Sequence, residues 1–207
     1  MSRLLGRLLF VLALALLAGG GWQLASAAWT AGKAEVAQLL LERAWSESLE
    51  SGRPVRPWPW ADSHPEARLL FPERGRSLLV LDRADPRSLA FGPARVAGSA
   101  RPGQGVTVLA GHRDSHFALL RELAPGERLR LQSADGRWRD YRVADMAVLD
   151  QPRLMLAGSG DALVLVTCWP FDGLRPGDPR RYAVLAEPAG LRPAELAPGF
   201  RRAALTD

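Results

Sequence analysis

Residues 128–143 read RLRLQSADGRWRDYRV. Asp135 and Gly136 sit between two arms of strand-forming residues. Asp-Gly suits the tight hairpin turn whose central residues need positive φ, a conformation glycine adopts without steric cost. The stretch therefore reads as a β-hairpin. Its arms are expected to alternate, with Leu129 and Leu131 on one side and Trp138 and Tyr141 on the other. The same pattern recurs outward in both directions. SLLVLD (77–82), GVTVLAG (105–111), MAVLD (146–150), ALVLVTC (162–168) and RYAVLAE (181–187) are short, aliphatic and bounded by Gly, Pro or Asp. Seven or so strands at this spacing predict a mainly β domain, a closed or nearly closed barrel. HFALLREL (116–123) predicts a helical turn or two among them. No internal repeat or low-complexity tract interrupts the series.

Upstream the character changes. No formal charge occurs from Leu8 to Thr30. A bilayer-spanning helix needs about 20 apolar residues, so this run is long enough. Arg3 and Arg7 precede it, which predicts a cytoplasmic N-terminus and an extracytoplasmic domain. An uncleaved anchor is the expectation; the rival is a signal peptide cut near Ala25-Ser26-Ala27. Helical spacing continues to about residue 52, with Val36, Leu39, Leu40 and Ala44 expected on one face. PVRPWPWADSHP (54–65) then excludes helix through its prolines. Trp58 and Trp60 are expected to pin this segment to the domain surface. The organisation is thus an anchor at 1–30, an amphipathic helix or stalk at 31–55, a β domain at 56–188 and a tail at 189–207.

Of 207 residues, 47% are hydrophobic and 24% charged, which supports a packed core and argues against wholesale disorder. The net charge is +5, carried almost wholly by scattered arginines, since Lys33 is the only lysine. No basic run is interleaved with aromatics, so nucleic-acid binding is not expected.

The single cysteine, Cys168, excludes an internal disulfide. It closes ALVLVTC, an apolar run that suits a strand buried on both faces. Alternation puts Cys168 on the face of Val164 and Val166, with Thr167 opposite. Taken alone, such a thiol is most simply a buried, inert filler. Two other strand ends change its company. His112 follows VTVLAG directly, and a histidine at a strand-to-loop junction is held by a rigid edge. Arg181 opens RYAVLAE after a Gly- and Pro-rich loop. If its strand runs opposite to that of Cys168, its fixed donors reach charge developing at the sulfur. Thiol, imidazole and guanidinium together provide a nucleophile, a proton carrier and an electrostatic stabiliser. His64 and His116 carry no comparable placement.

These motifs resemble those of the sortases, membrane-anchored cysteine transpeptidases. The resemblance spans most of residues 56–187 and rests on AGHRD (110–114), LVTC (165–168) and the arginine of RYAV (181–184). Leu165 stands where many relatives carry threonine or serine. PWPWAD (57–62) and LAFGPARVAGSARPGQ (89–104) are similar to the variant sortases of proteobacteria. The resemblance implies a closed sortase-type barrel of about eight strands with short helices. It implies Cys168, His112 and Arg181 as catalytic residues, with Arg180 the rival of Arg181. Thr167 is then a candidate for substrate or oxyanion contacts. The implied substrate is a protein bearing a C-terminal LPxTG-like sorting signal, cleaved through a thioester and passed to an amine or to water. No cofactor, metal or nucleic acid is implied.

Two other readings stand beside this one. His112, His116 and Cys168 would be the ligands of a membrane-anchored zinc hydrolase, although no Glu follows the first His as the zinc-protease helix motif requires. A non-catalytic β-barrel binding module would carry Cys168 as a structural residue.

Overall fold

The computed structural model describes residues 2–150, 160–173 and 178–190. The tail expected beyond residue 190 lies outside them. The chain forms two units, Met1–Leu40 and Leu41–Asp207. The first unit consists of most of helix α1, which runs from Ser2 to Ser51. Its first half is apolar and carries exposed large side chains, among them Phe10, Leu17 and Trp22. By length and composition the helix is able to cross a membrane.

The second unit is a closed barrel of eight strands in the order β1-β2-β3-β4-β7-β8-β6-β5. The strands are β1 (Pro65–Phe71), β2 (Arg76–Leu81), β3 (Ala94–Arg95), β4 (Val106–Ala110), β5 (Arg128–Ser133), β6 (Trp138–Leu149), β7 (Ala162–Cys168) and β8 (Arg181–Pro188). Two pairings are parallel, β2 with β3 and β4 with β7; the others are antiparallel. Antiparallel β1 and β5 pair on one side of the circle, and the two-residue β3 closes it between β2 and β4, touching β2 at Leu81 alone.

The interior holds Leu69, Phe71, Leu109, Leu129, Leu131, Tyr141, Leu163, Leu165 and Val184, each fully or almost fully buried. Burying such side chains stabilises the barrel by about 1.5–3 kcal/mol each before entropy is counted. Val108, Ala147, Val164, Val166, Ala183 and Leu185 form a second cluster on the opposite face of β4, β6, β7 and β8. Strand β7 is therefore buried on both faces, as its unbroken apolar run predicts. A third cluster joins Leu41 and Trp45, near the end of α1, to Leu79, Leu81 and Ala94 of the barrel.

Several expectations are corrected. WRDYRV and MAVLD are one strand, β6, with an irregularity in its pairing between Val143 and Asp145. Such a bulge breaks the alternation that would mark a single strand in sequence. Tyr141 pairs with Leu129 and shares its interior face, whereas Trp138 pairs with Gln132 and is partly exposed. A separation of three puts two strand residues on opposite faces. On α1 the buried stripe within the second unit is Leu41, Ala44, Trp45 and Ser48, while Val36 and Leu39 are exposed. Trp58 does pin its segment, edge-on against Phe91 at 5.2 Å. Trp60, by contrast, is 80% exposed. Strand β1 and the two-residue β3 have no clear period of their own. The hairpin turn falls where expected but is of another type: only Gly136 has positive φ, +78°, and its N–H donates to the Ser133 carbonyl at 2.9 Å, so the turn spans Ser133–Gly136 with Asp135 at negative φ. A 3-10 turn covers Ala118–Glu122.

Candidate active site

The parallel pairing of β4 with β7 brings the C-terminal ends of both strands to one end of the barrel. Ala110 pairs with Val166. The pairing continues one residue further, because the Gly111 N–H donates to the Val166 carbonyl at 3.1 Å. The Thr167 hydroxyl donates to the Gly111 carbonyl at 2.8 Å. His112 thus leaves β4 level with the end of β7, where Cys168 stands.

Gly111 has a steric reason to be glycine. A Cβ there would lie 2.7 Å from the ring of Phe117. Phe117 is fully buried, and its N–H donates to the His112 carbonyl at 3.0 Å. The histidine loop is held on one side by β7 and on the other by this ring. His112 itself is exposed.

Cys168 pairs with Arg181 across antiparallel β7 and β8. Directly opposed residues project from the same face, with Cβ atoms about 4.5–5.5 Å apart. Both lie on the face of Val164, Val166, Ala183 and Leu185, and Cys168 is partly exposed. One Arg181 Nη1 donates to the carbonyls of Asp178 at 2.9 Å and Arg180 at 2.8 Å. The neighbouring Arg180 precedes the strand and forks onto the Asp178 carboxylate at 3.1 and 2.9 Å. That guanidinium holds Asp178 down at about 2.

Thr167 faces the other way and is 2% exposed. Its hydroxyl proton is given to the Gly111 carbonyl, on the face opposite to Cys168 and Arg181. His116, four residues beyond His112, is half-buried. Burial, then the charges of His112 and Arg76, lower its pKa, so it is neutral at pH 7. Its Nδ1 lies 3.5 Å from the Ser115 hydroxyl. His64 serves the fold, with its N–H bonded to the Asp82 carboxylate at 3.0 Å. Among the described residues no three His, Cys, Asp or Glu side chains cluster as metal ligands would.

The sortase domain family matches residues 69–189, more than half of the chain. The chain belongs to the sortase family. It is 29% identical over 120 residues to sortase D of Bacillus subtilis (strain 168), a match covering 56% of this chain and 60% of that protein. The sortase thus spans less than two thirds of that relative's length. Its fold is similar to sortase A from Corynebacterium diphtheriae, with a TM-score of 0.55 and 23% identity over 66% of each chain. It is also similar to a Clostridium perfringens sortase D5 transpeptidase, with a TM-score of 0.57 and 16% identity over 75% of this chain and 99% of that one. At these identities the two structures speak to the fold alone.

Two features at this end of the barrel have little or no signal in the sequence. Trp169, Phe171 and Tyr182 form an aromatic trio with centroid separations of 5.2 to 5.8 Å. The paired aromatics around Pro170 were its only signal. Arg113 reaches from the histidine loop to the carbonyls of Pro170 and Gly173. Nothing in the local sequence separates it from the other arginines.

Proposed function

We propose that this sortase is a membrane-anchored cysteine transpeptidase acting on a protein with a C-terminal LPxTG-like sorting signal. One observation carries the reading: Cys168 faces Arg181 in register while His112 leaves the adjacent parallel strand at the same level. The Cys168 thiolate attacks the carbonyl carbon that follows threonine, forming a C–S bond. The tetrahedral oxyanion lies beside Arg181, whose guanidinium supplies charge-assisted donors. Collapse breaks the C–N bond, and His112 gives its proton to the departing amine. An acceptor amine, or water, then attacks the thioester and passes a proton to His112, and the thiolate leaves. Thr167 and Gly111 hold the backbone on which both reacting side chains stand.

The apolar half of α1 serves as an uncleaved anchor with Arg3 and Arg7 on the cytoplasmic side, which places the barrel outside the membrane. PWPWAD and the 89–104 segment support a place among the proteobacterial variants. Among the described residues the zinc reading has no cluster of ligands to build on.

The test is to trap the thioester between Cys168 and a sorting peptide and read it by intact mass. Cys168→Ala should lower peptide processing by at least about a thousandfold. Retained turnover removes the thiol from the mechanism.

A further inference from the structure

We infer that Arg113 is a positioning residue that locks the loop after Cys168 onto the loop that carries His112. The inference rests on Cys168 and His112 being the reacting pair. Arg113 follows His112 directly, and its guanidinium is spent across a gap of 57 and 60 residues. Nη1 donates to the Pro170 carbonyl at 2.6 Å, and Nη2 donates to the Gly173 carbonyl. The Pro170 oxygen also accepts the Gly173 N–H at 3.2 Å, so both of its lone pairs are used. Among the described residues no carboxylate lies within ion-pair distance of Arg113. A charged fork held by two neutral carbonyls is a clamp on backbone geometry.

Gly173 is shaped to admit the clamp. A Cβ there would lie 2.9 Å from Arg113 Nη1 and 3.2 Å from both the ring and the carbonyl of Pro170. The far side of the same loop is fixed separately. The Trp169 N–H donates to the Arg180 carbonyl at 3.2 Å, and Phe171 packs edge-on against Tyr182. Strand pairing therefore holds Cys168 to Arg181, but β7 has ended before the loop reaches His112. Beyond the Gly111–Thr167 contacts, Arg113 supplies the tie between the two loops. It touches no reacting atom; it sets where the imidazole stands relative to the sulfur.

The experiment uses the full chain in detergent with Arg113→Ala, Arg113→Lys and Gly173→Ala. Single-turnover thioester formation with an LPxTG peptide is followed by intact mass. Amide exchange across 169–173 is followed by mass spectrometry, without any peptide. Arg113→Ala should slow thioester formation by about 10- to 100-fold, as misplacement of reacting groups does. The half-saturating peptide concentration should change by less than about threefold, because the clamp does not contact substrate. Added guanidinium, far below denaturing concentrations, should restore part of the rate. Arg113→Lys should stay slow, since one ammonium lacks the fork that spans both carbonyls. Gly173→Ala should reproduce the slow rate with Arg113 intact. Exchange at 169–173 should rise about tenfold in Arg113→Ala while β5 and β6 stay protected.

A rate within about twofold of wild type in Arg113→Ala overturns the inference. So does protection lost uniformly over the barrel without guanidinium rescue, which marks a merely structural residue. A wild type that forms no thioester sinks the transpeptidase reading instead. The clamp is then decided by exchange, upheld by a selective rise at 169–173 and overturned by none.

Discussion

Two threonines on the interior face show how much one hydroxyl depends on its neighbour. Thr167 gives its proton to Gly111, whereas the Thr107 hydroxyl is buried without a hydrogen-bond partner among the described residues. Thr167→Val should cost about 1 kcal/mol, the net worth of a buried hydrogen bond. Thr107→Val should gain a comparable amount, about 1 kcal/mol, by removing an unsatisfied polar group. Opposite shifts of the urea midpoint check both. Gly111→Ala changes the residue that accepts the Thr167 hydroxyl. Its Cβ would meet the Phe117 ring, so we expect about 1–3 kcal/mol of destabilisation from overpacking. Unchanged unfolding and peptide kinetics would show that Phe117 yields freely.

At the scale of elements, the start of β8 separates two adjacent arginines. Arg181 lies in the strand, across from Cys168; Arg180 precedes it, paired with Asp178. Arg181→Ala should lower kcat by about 100- to 1000-fold, as loss of an oxyanion donor does. Arg180→Ala should leave turnover within about twofold, since it removes an exposed ion pair. The same variant should let the Asp178 titration midpoint rise from about 2 towards about 3.9, read by NMR. The folded-state value is depressed, so this pair contributes above the unfolded carboxylate range and is lost as pH falls towards about 2. A swap of the two kinetic effects would reverse the assignment.

The whole molecule answers to two further tests. His116 has a lowered pKa, so the unfolded chain binds its proton more readily than the folded one. Its contribution is complete above the unfolded value of about 6.5 and shrinks as pH falls below it. Stability measured by urea should decline between pH 7.5 and pH 5, and His116→Phe should reduce that decline. An unchanged slope would show that other groups carry it. The last turns of α1 belong to the barrel's own packing, because Leu41 and Trp45 bury against Leu79, Leu81 and Ala94. A chain beginning at Leu41 should unfold near the full-length temperature. Trp45→Ala should cost about 3–5 kcal/mol, and a midpoint unchanged by it would show the helix end to be dispensable.

The sequence alone settles the apolar N-terminal helix, the β character and the place, though not the type, of the turn at Asp135-Gly136, because each depends on local period and local sterics. It also marked Cys168, His112 and Arg181 as strand-end residues. The parallel pairing of β4 with β7, which puts His112 and Cys168 at one end, is visible in the folded chain alone. No local pattern encodes a contact between strands more than fifty residues apart. The same limit hid the bulge that merges two apparent strands into β6, the helix stripe that meets Leu79 and Leu81, and the Arg113 fork. Each is defined by what approaches it from elsewhere in the chain, and close packing, not periodicity, fixes that approach.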